Sequence, residues 1–347
     1  MKMSSSWRGG DLIYPVKEGQ AMGYVGKWMW LSVLCVLMGV VFAPGLSRSE
    51  EIRLGYPKLG WSSTELVDRL GLLTEKGYNV KYELFQVPSQ MGVAFGAKKL
   101  QVTTMSVALA GKMYEQGIPF KITGVVQAVL GSIVVPKDSA IQSVLELKGK
   151  KVGAVLGSST FADFVWMIKK IYDMDIRQDT QLISATSPPD LATLMLNGAI
   201  DAAIGWVPIP EKLVSTGNYR YLVKQQELWE QAYGRKDPAV LVVYIAGDDM
   251  VQNNPQFLRD LNEAQKRAAE IWYTDKEKAV KVMQEVTELP KDLVSYSYDQ
   301  TTRVLYGLTE EHIDQILFQW KEAQLHGFLK SDIWLKPEEA RKLFFKP

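Results

Sequence analysis

The sequence predicts an α/β protein of two lobes, each a mixed sheet flanked by helices, with a ligand cleft between them. Three observations carry that prediction. At 347 residues the chain is too long for one small core, and ordinary domain size points to two. Strand-like and helix-like stretches alternate through most of the body, the order expected of sheets covered by helices, where ligands collect beyond the carboxyl ends of the strands. Two continuous apolar runs, near residues 131–136 and 239–247, suit segments that cross from one lobe to the other and return. The expected division is a discontinuous first lobe, 50–133 with 242–347, and a continuous second lobe, 134–241, with the cleft between them.

Each element has its own signal. Residues 52–56 (IRLGY) alternate and are β-rich, and a loop, a helix and a glycine stop follow. Ser62 and Glu65 stand at capping-box spacing, so a helix is expected to start there. Residues 79–87 read as a strand, Gln90 to Lys98 as a helix, and 100–106 (LQVTTMS) as another strand. After the apolar strand at 131–136, Ser143 and Glu146 repeat the capping-box spacing before a turn and a strand. Phe161, Phe164, Val165, Ile168 and Ile171 then mark a helix whose aromatics belong to the core. Ser187 caps a helix with prolines in its permitted first turn, and Gly198 stops it before the strand IDAAIGW. A stretch rich in tyrosine, tryptophan and charge, Tyr219 to Asp237, leads to the second apolar run. From Asn254 onward the pattern is mainly helical. The strands LQVTTMS and IDAAIGW share a helix-then-strand context, which suggests related lobes.

Composition excludes several functions. Hydrophobic residues make up 47% and charged residues 23%, ordinary globular usage, and 40 basic residues nearly balance 39 acidic ones. No field favours nucleic acid, so a charged ligand must be recognised locally. The one cysteine, Cys35, lies in the N-terminal apolar run, and the two histidines, His312 and His326, share one late amphipathic stretch. Neither a metal site nor a catalytic triad is expected from so few candidates, and no cofactor motif is present.

Residues 28–43 form an uncharged apolar run behind Lys27, followed by small residues up to Ser49. This reads as an export signal within residues 1–49, cleaved near Ser47 or Ser49; uncut, residues 28–46 would form a membrane anchor. A start at Met22 would give the signal ordinary length. The expected location is periplasmic.

Residues 134–160 (VVPKDSAIQSVLELKGKKVGAVLGSST) and 194–210 (LMLNGAIDAAIGWVPIP) resemble the nitrate, taurine and alkanesulfonate binding proteins of ABC importers, and the likeness extends over roughly 51–275. It implies a type II periplasmic-binding fold, a small solute held between lobes that close over it, and partners in an ABC permease with its ATPase; a monomer is expected. One departure is in the first lobe, where Lys98 and Gln101 stand in place of the family's glycine and aspartate before the strand.

The candidate ligand residues follow from position. Gly157, Ser158, Ser159 and Thr160 join a strand to a helix, where free amides and hydroxyls suit an oxyanion, although simple capping would explain them too. Trp61, Ser62 and Ser63 offer a second helix start with an aromatic wall; Glu65 opposes an anion there, and capping with a buried Trp61 is the plainer alternative. Ser106 ends a strand, Gly131 and Ser132 begin the crossing strand, and Trp206 ends IDAAIGW as a lid or a packing residue. Asp201 is expected to order its turn. The histidines are expected at the rim. The ligand class that best suits these residues is a small organic anion, sulfonate or taurine ahead of nitrate. A thiamine-precursor pyrimidine, an enzyme on the same scaffold and a sensory protein are the alternatives.

Overall fold

The computed structural model describes residues 51–86, 88–300 and 303–347, and the export or anchor segment expected over 1–49 lies outside them. The chain runs β1 (Ile52–Pro57), α1 (Thr64–Arg69), β2 (Val80–Phe85), α2 (Pro88–Gly96), β3 (Val102–Ser106), α3 (Val107–Glu115), β4 (Lys121–Ala128) and β5 (Gly131–Pro136). It continues through β6 (Lys151–Ala154), α4 (Ser159–Tyr172), α5 (Ile176–Asp179), β7 (Gln181–Ser184), α6 (Pro188–Leu196), β8 (Ala202–Trp206), α7 (Ile209–Val214), β9 (Tyr219–Lys224), α8 (Gln225–Tyr233) and β10 (Val240–Ala246). The remainder is helical: α9 (Asp248–Asn253), α10 (Pro255–Thr274), α11 (Lys276–Thr287), α12 (Lys291–Gln300), α13 (Glu310–Leu325) and α14 (Pro337–Ala340).

Two five-stranded sheets result, with orders β2-β1-β3-β10-β4 and β7-β6-β8-β5-β9. In each, one strand runs antiparallel to its neighbours, β10 between β3 and β4 and β5 between β8 and β9. These are the two apolar runs. Each lies inside a sheet, and all of their residues are buried except the half-buried Pro136 and Val242, which is why neither shows polar alternation. The hand-over from the first sheet to the second falls between Ala128 and Gly131, and the return between Tyr233 and Val240. Breaks at 133/134 and 241/242 would cut through β5 and β10; ladder hydrogen bonds keep each of those strands whole within one sheet.

The two sheets repeat one local design at a spacing of 100 residues. Gln101 Oε1 accepts the Arg53 amide at 2.8 Å, and Asp201 Oδ2 accepts the Lys151 amide at 2.8 Å, so each side chain ties a helix-to-strand turn to the start of the first parallel strand. Lys98 has φ 57° and Gly198 φ 64°. Lys98 and Gln101 thus perform in the first lobe the tasks of Gly198 and Asp201 in the second. The departure from the family pattern is one of residue type and leaves the backbone unchanged. Gly55 and Gly153 match as well: a Cβ at either would lie 2.6 Å from Leu100 Cδ1 or 2.5 Å from Ile200 Cδ1.

Several local expectations hold. Ser187 Oγ accepts the Asp190 amide at 3.3 Å, and Phe161, Phe164, Val165 and Ile168 are buried along α4. At Ser143 the box does not form: the Glu146 carboxylate takes the Gln142 amide instead and only a short 3₁₀ turn, Val144–Leu147, follows. The segment Tyr219–Asp237 holds β9 and α8, which its composition conceals. β9 is an edge strand with five of its six residues half-buried, so neither face is clearly apolar. Among the described residues no helix is long and apolar enough to cross a membrane.

Candidate functional site

The end of β3 in one sheet and the start of α4, which follows β6 in the other, meet at the seam between lobes. Ser106 closes β3 and serves as N-cap of α3, while Ser159 is the first residue of α4; their hydroxyl oxygens are 2.5 Å apart, one lobe on the other. Ser158, at the N-cap of α4, accepts the Phe161 amide at 3.1 Å, so its hydroxyl is used in capping. Thr160 lies against Gly131: a Cβ on Gly131 would fall 2.6 Å from Thr160 Cγ2 and 2.5 Å from Gln225 Oε1. That approach explains the glycine. Gly131 pairs with Trp206 across β5 and β8, and Ser132 pairs with Gly205. Trp206 is half-buried; Ser132 is fully buried and its hydroxyl has no hydrogen-bond partner among the described residues. The structure therefore draws Ser106, Ser159, Thr160, Gly131 and Trp206 into one neighbourhood.

The loop from β1 to α1 is inside the protein. Trp61 takes φ 53°, is fully buried, accepts Gln127 Nε2 at its carbonyl and leaves Nε1 without a partner among the described residues. Ser62 donates to Glu65 Oε2 from both its amide (3.1 Å) and its hydroxyl (2.7 Å), and its oxygen accepts the Thr64 amide at 3.2 Å. Half of the expected box forms: the Glu65 carboxylate takes the Ser62 amide, but the Ser62 oxygen takes the amide of Thr64 and not that of Glu65, and the helix begins at Thr64 with Ser63 as its N-cap. Ser63 accepts from Gln265 Nε2 at 2.6 Å, in a network that runs through Tyr244 Oη to Thr64 Oγ1. Both serine hydroxyls are committed within the first lobe. Glu65 Oε1 is buried and, among the described residues, makes no hydrogen bond of good geometry. Desolvation pushes this carboxyl up to about 7, against the Ser62 hydroxyl and nearby main-chain amides.

Residues that the sequence did not single out complete the seam. Asp163, one turn into α4, accepts Gln225 Nε2 at 2.9 Å and Trp166 Nε1 at 3.2 Å, and Gln225 Oε1 takes the Gly131 amide at 3.0 Å. Burial pushes Asp163 up to about 7. This chain runs from α4 through α8 to the crossing strand. Only one feature of it is visible in sequence, a polar residue one turn into an otherwise apolar helix. Thr104 Oγ1, on β3, is another buried hydroxyl without a partner among the described residues. Unmet buried donors and acceptors cost on the order of 1–3 kcal/mol each, and Trp61, Glu65, Thr104 and Ser132 all carry one.

Outside this centre the lobes are joined by α13 and α12. Phe318 of α13 stands edge-on to Trp166 of α4 at 5.9 Å, and Lys170 pairs with the buried Glu322 at 3.0 Å. Lys224 donates to the Gln300 carbonyl at 3.0 Å, and Arg235 pairs with Glu311 at 2.7 Å. His312 accepts the Thr309 amide at 3.3 Å as part of the cap of α13, and His326 is its C-cap; both are half-buried. Asp201 orders its turn, as described.

This strand order and the pairing of two such sheets define the two-lobed binding-protein fold. The alkanesulfonate-binding protein SsuA from Xanthomonas axonopodis pv. citri, solved with MOPS bound, matches with TM-score 0.71 and 18% identity over 86% of this chain and 98% of that one. SsuA from Escherichia coli matches with TM-score 0.71 and 20% identity, covering 86% and 92%. The nitrate-binding protein NrtA from Synechocystis PCC 6803 matches with TM-score 0.64 and 13% identity, covering 85% and 88%. No curated protein sequence matches the chain. The chain belongs to the NMT1/THI5-like family, whose profile matches residues 69–279.

Proposed function

We propose that the protein is the exported solute receptor of an ABC importer, taking a small organic anion between its lobes and delivering it to a permease with its ATPase from the periplasm. The observation that carries this reading is the Ser106–Ser159 contact, which brings the end of β3 in one sheet to the start of α4, the long helix that follows β6 in the other. The first amides of α4 and its dipole suit a sulfonate, carboxylate or nitrate held without arginine. Ser106, Ser159, Thr160, Gly131, Ser132, Trp61 and Trp206 are the proposed lining, and Ser62, Ser63 and Ser158 serve it by fixing the loops. The half-buried Trp206 and the unpaired Trp61 favour a solute with a carbon body.

A second reading has its own support. Glu65 presents a buried, unpaired carboxyl oxygen in the same loop as the unpaired Trp61 indole, an arrangement suited to a ligand with N–H donors such as a thiamine-precursor pyrimidine. Calorimetric titration of the purified protein against taurine, short alkanesulfonates, nitrate, carboxylates and aminopyrimidines separates the two. Binding of a panel anion, weakened by Trp206→Ala, supports the first reading. Silence from every anion would remove it, and binding of an aminopyrimidine alone would replace it with the second.

A further inference from the structure

A cavity of about 170 Å³ lies between α4 of the second lobe and α3 with the end of α13 from the first. Its walls include Phe161 and Val165 of α4, Arg177 of α5, Lys112 of α3, and His326 and Phe328 just beyond α13. By volume it would hold about six water molecules. Lys112 sets its character. The ammonium stands 3.7 Å from the centre of the Phe328 ring and, among the described residues, has neither an ion pair nor a hydrogen bond. Glu115, one turn along, is committed elsewhere: its Oε1 accepts the amides of Lys330 and Ser331 and the Trp334 indole at 2.6, 2.7 and 2.8 Å. Arg177 is already matched, with Asp175 at 2.8 Å and the His326 carbonyl at 3.0 Å. Burial lowers the Lys112 pKa, and Lys330 lowers it further, while Glu115 opposes both. The cavity thus combines an apolar floor with one half-buried cation that lacks a counter-ion.

We propose that this cavity binds a small organic monoanion, a carboxylate or sulfonate with a short apolar or aromatic body, its charged end at Lys112 and its body against Phe161 and Val165. The walls come from both lobes, so an occupant holds its full set of contacts only when the lobes are together and thereby favours the closed arrangement. By reciprocity it tightens the binding of any solute taken by closure of those lobes. This goes beyond the receptor reading, because it concerns binding at residues that the proposed solute lining does not include.

The full-length protein is titrated with 4-fluorobenzoate and followed by fluorine NMR. Saturable binding is expected, weakened about tenfold or more by Lys112→Met, which removes the charge and keeps the apolar stem. Trp206→Ala, in the proposed solute lining, is expected to leave the Lys112-dependent part of the binding in place. Thermal melting of Lys112→Met checks that the fold is intact, and Lys112→Gln provides a second variant. The absence of saturable binding, binding by both Lys112 variants as tight as that of the parent, or loss of binding in Trp206→Ala with the Lys112 variants unaffected would each overturn the proposal.

Discussion

Glu65 makes the stability of this protein depend on pH in a direction that can be worked out in advance. Its carboxyl is fully buried, and desolvation lifts its pKa from 4.5 to about 7. An unfolded chain gives up this proton near 4.5, so between those limits the folded state binds more protons and stability falls as pH rises. The loss starts above 4.5 and is complete once pH has passed well beyond 7. At about 1.4 kcal/mol per pH unit, the distance from 4.5 to about 7 corresponds to about 3 kcal/mol. Glu65→Gln keeps the shape and an acceptor for the Ser62 amide and hydroxyl but cannot ionise. The substituted protein is therefore expected to stand within about 1 kcal/mol of the parent at pH 5 and to exceed it by about 3 kcal/mol at pH 8. Urea unfolding of both proteins at pH 5, 6, 7 and 8 measures the difference. Asp163, lifted to about 7 by burial, contributes to the slope of both, so the comparison isolates Glu65. Parallel stability curves for the two proteins would show that Glu65 is solvated in the folded state, and the account of the β1–α1 loop would fail.

Three further outcomes are expected. Lys98→Gly relieves a left-handed residue at φ 57° at the loss of an exposed pair with Asp249 at 3.8 Å, and thermal unfolding should show a gain of about 1 kcal/mol. Gly131→Ala places a methyl group 2.5 Å from Gln225 Oε1 and 2.6 Å from Thr160 Cγ2; a loss of about 1–3 kcal/mol in urea unfolding is expected, together with weaker solute binding by calorimetry. Ser158→Ala removes the cap from the Phe161 amide and should cost about 1 kcal/mol, while a loss well above 2 kcal/mol would mean that Ser158 does more than cap α4.

Much of this protein was legible in its sequence because much of it is local. The two apolar runs announced β5 and β10, since a strand covered on both faces has no reason to alternate. Ser187, the prolines after it and Gly198 fixed α6 and its ends, because caps and left-handed stops depend on neighbours in the chain. The strand LQVTTMS lies over IDAAIGW at a spacing of 100 residues because both lobes use one turn, and Lys98 and Gln101 obscured it only by differing in type from Gly198 and Asp201. Tertiary structure alone decided which groups share the seam. Ser106 and Ser159 stand 53 positions apart, Gln225 and Gly131 94, and Gln265 and Ser63 202, separations over which no sequence pattern carries information about contact. It also decided that the Ser62 and Ser63 hydroxyls turn inward and that Glu65 loses its water, because burial is a property of everything packed around a residue and is not visible in the residue itself.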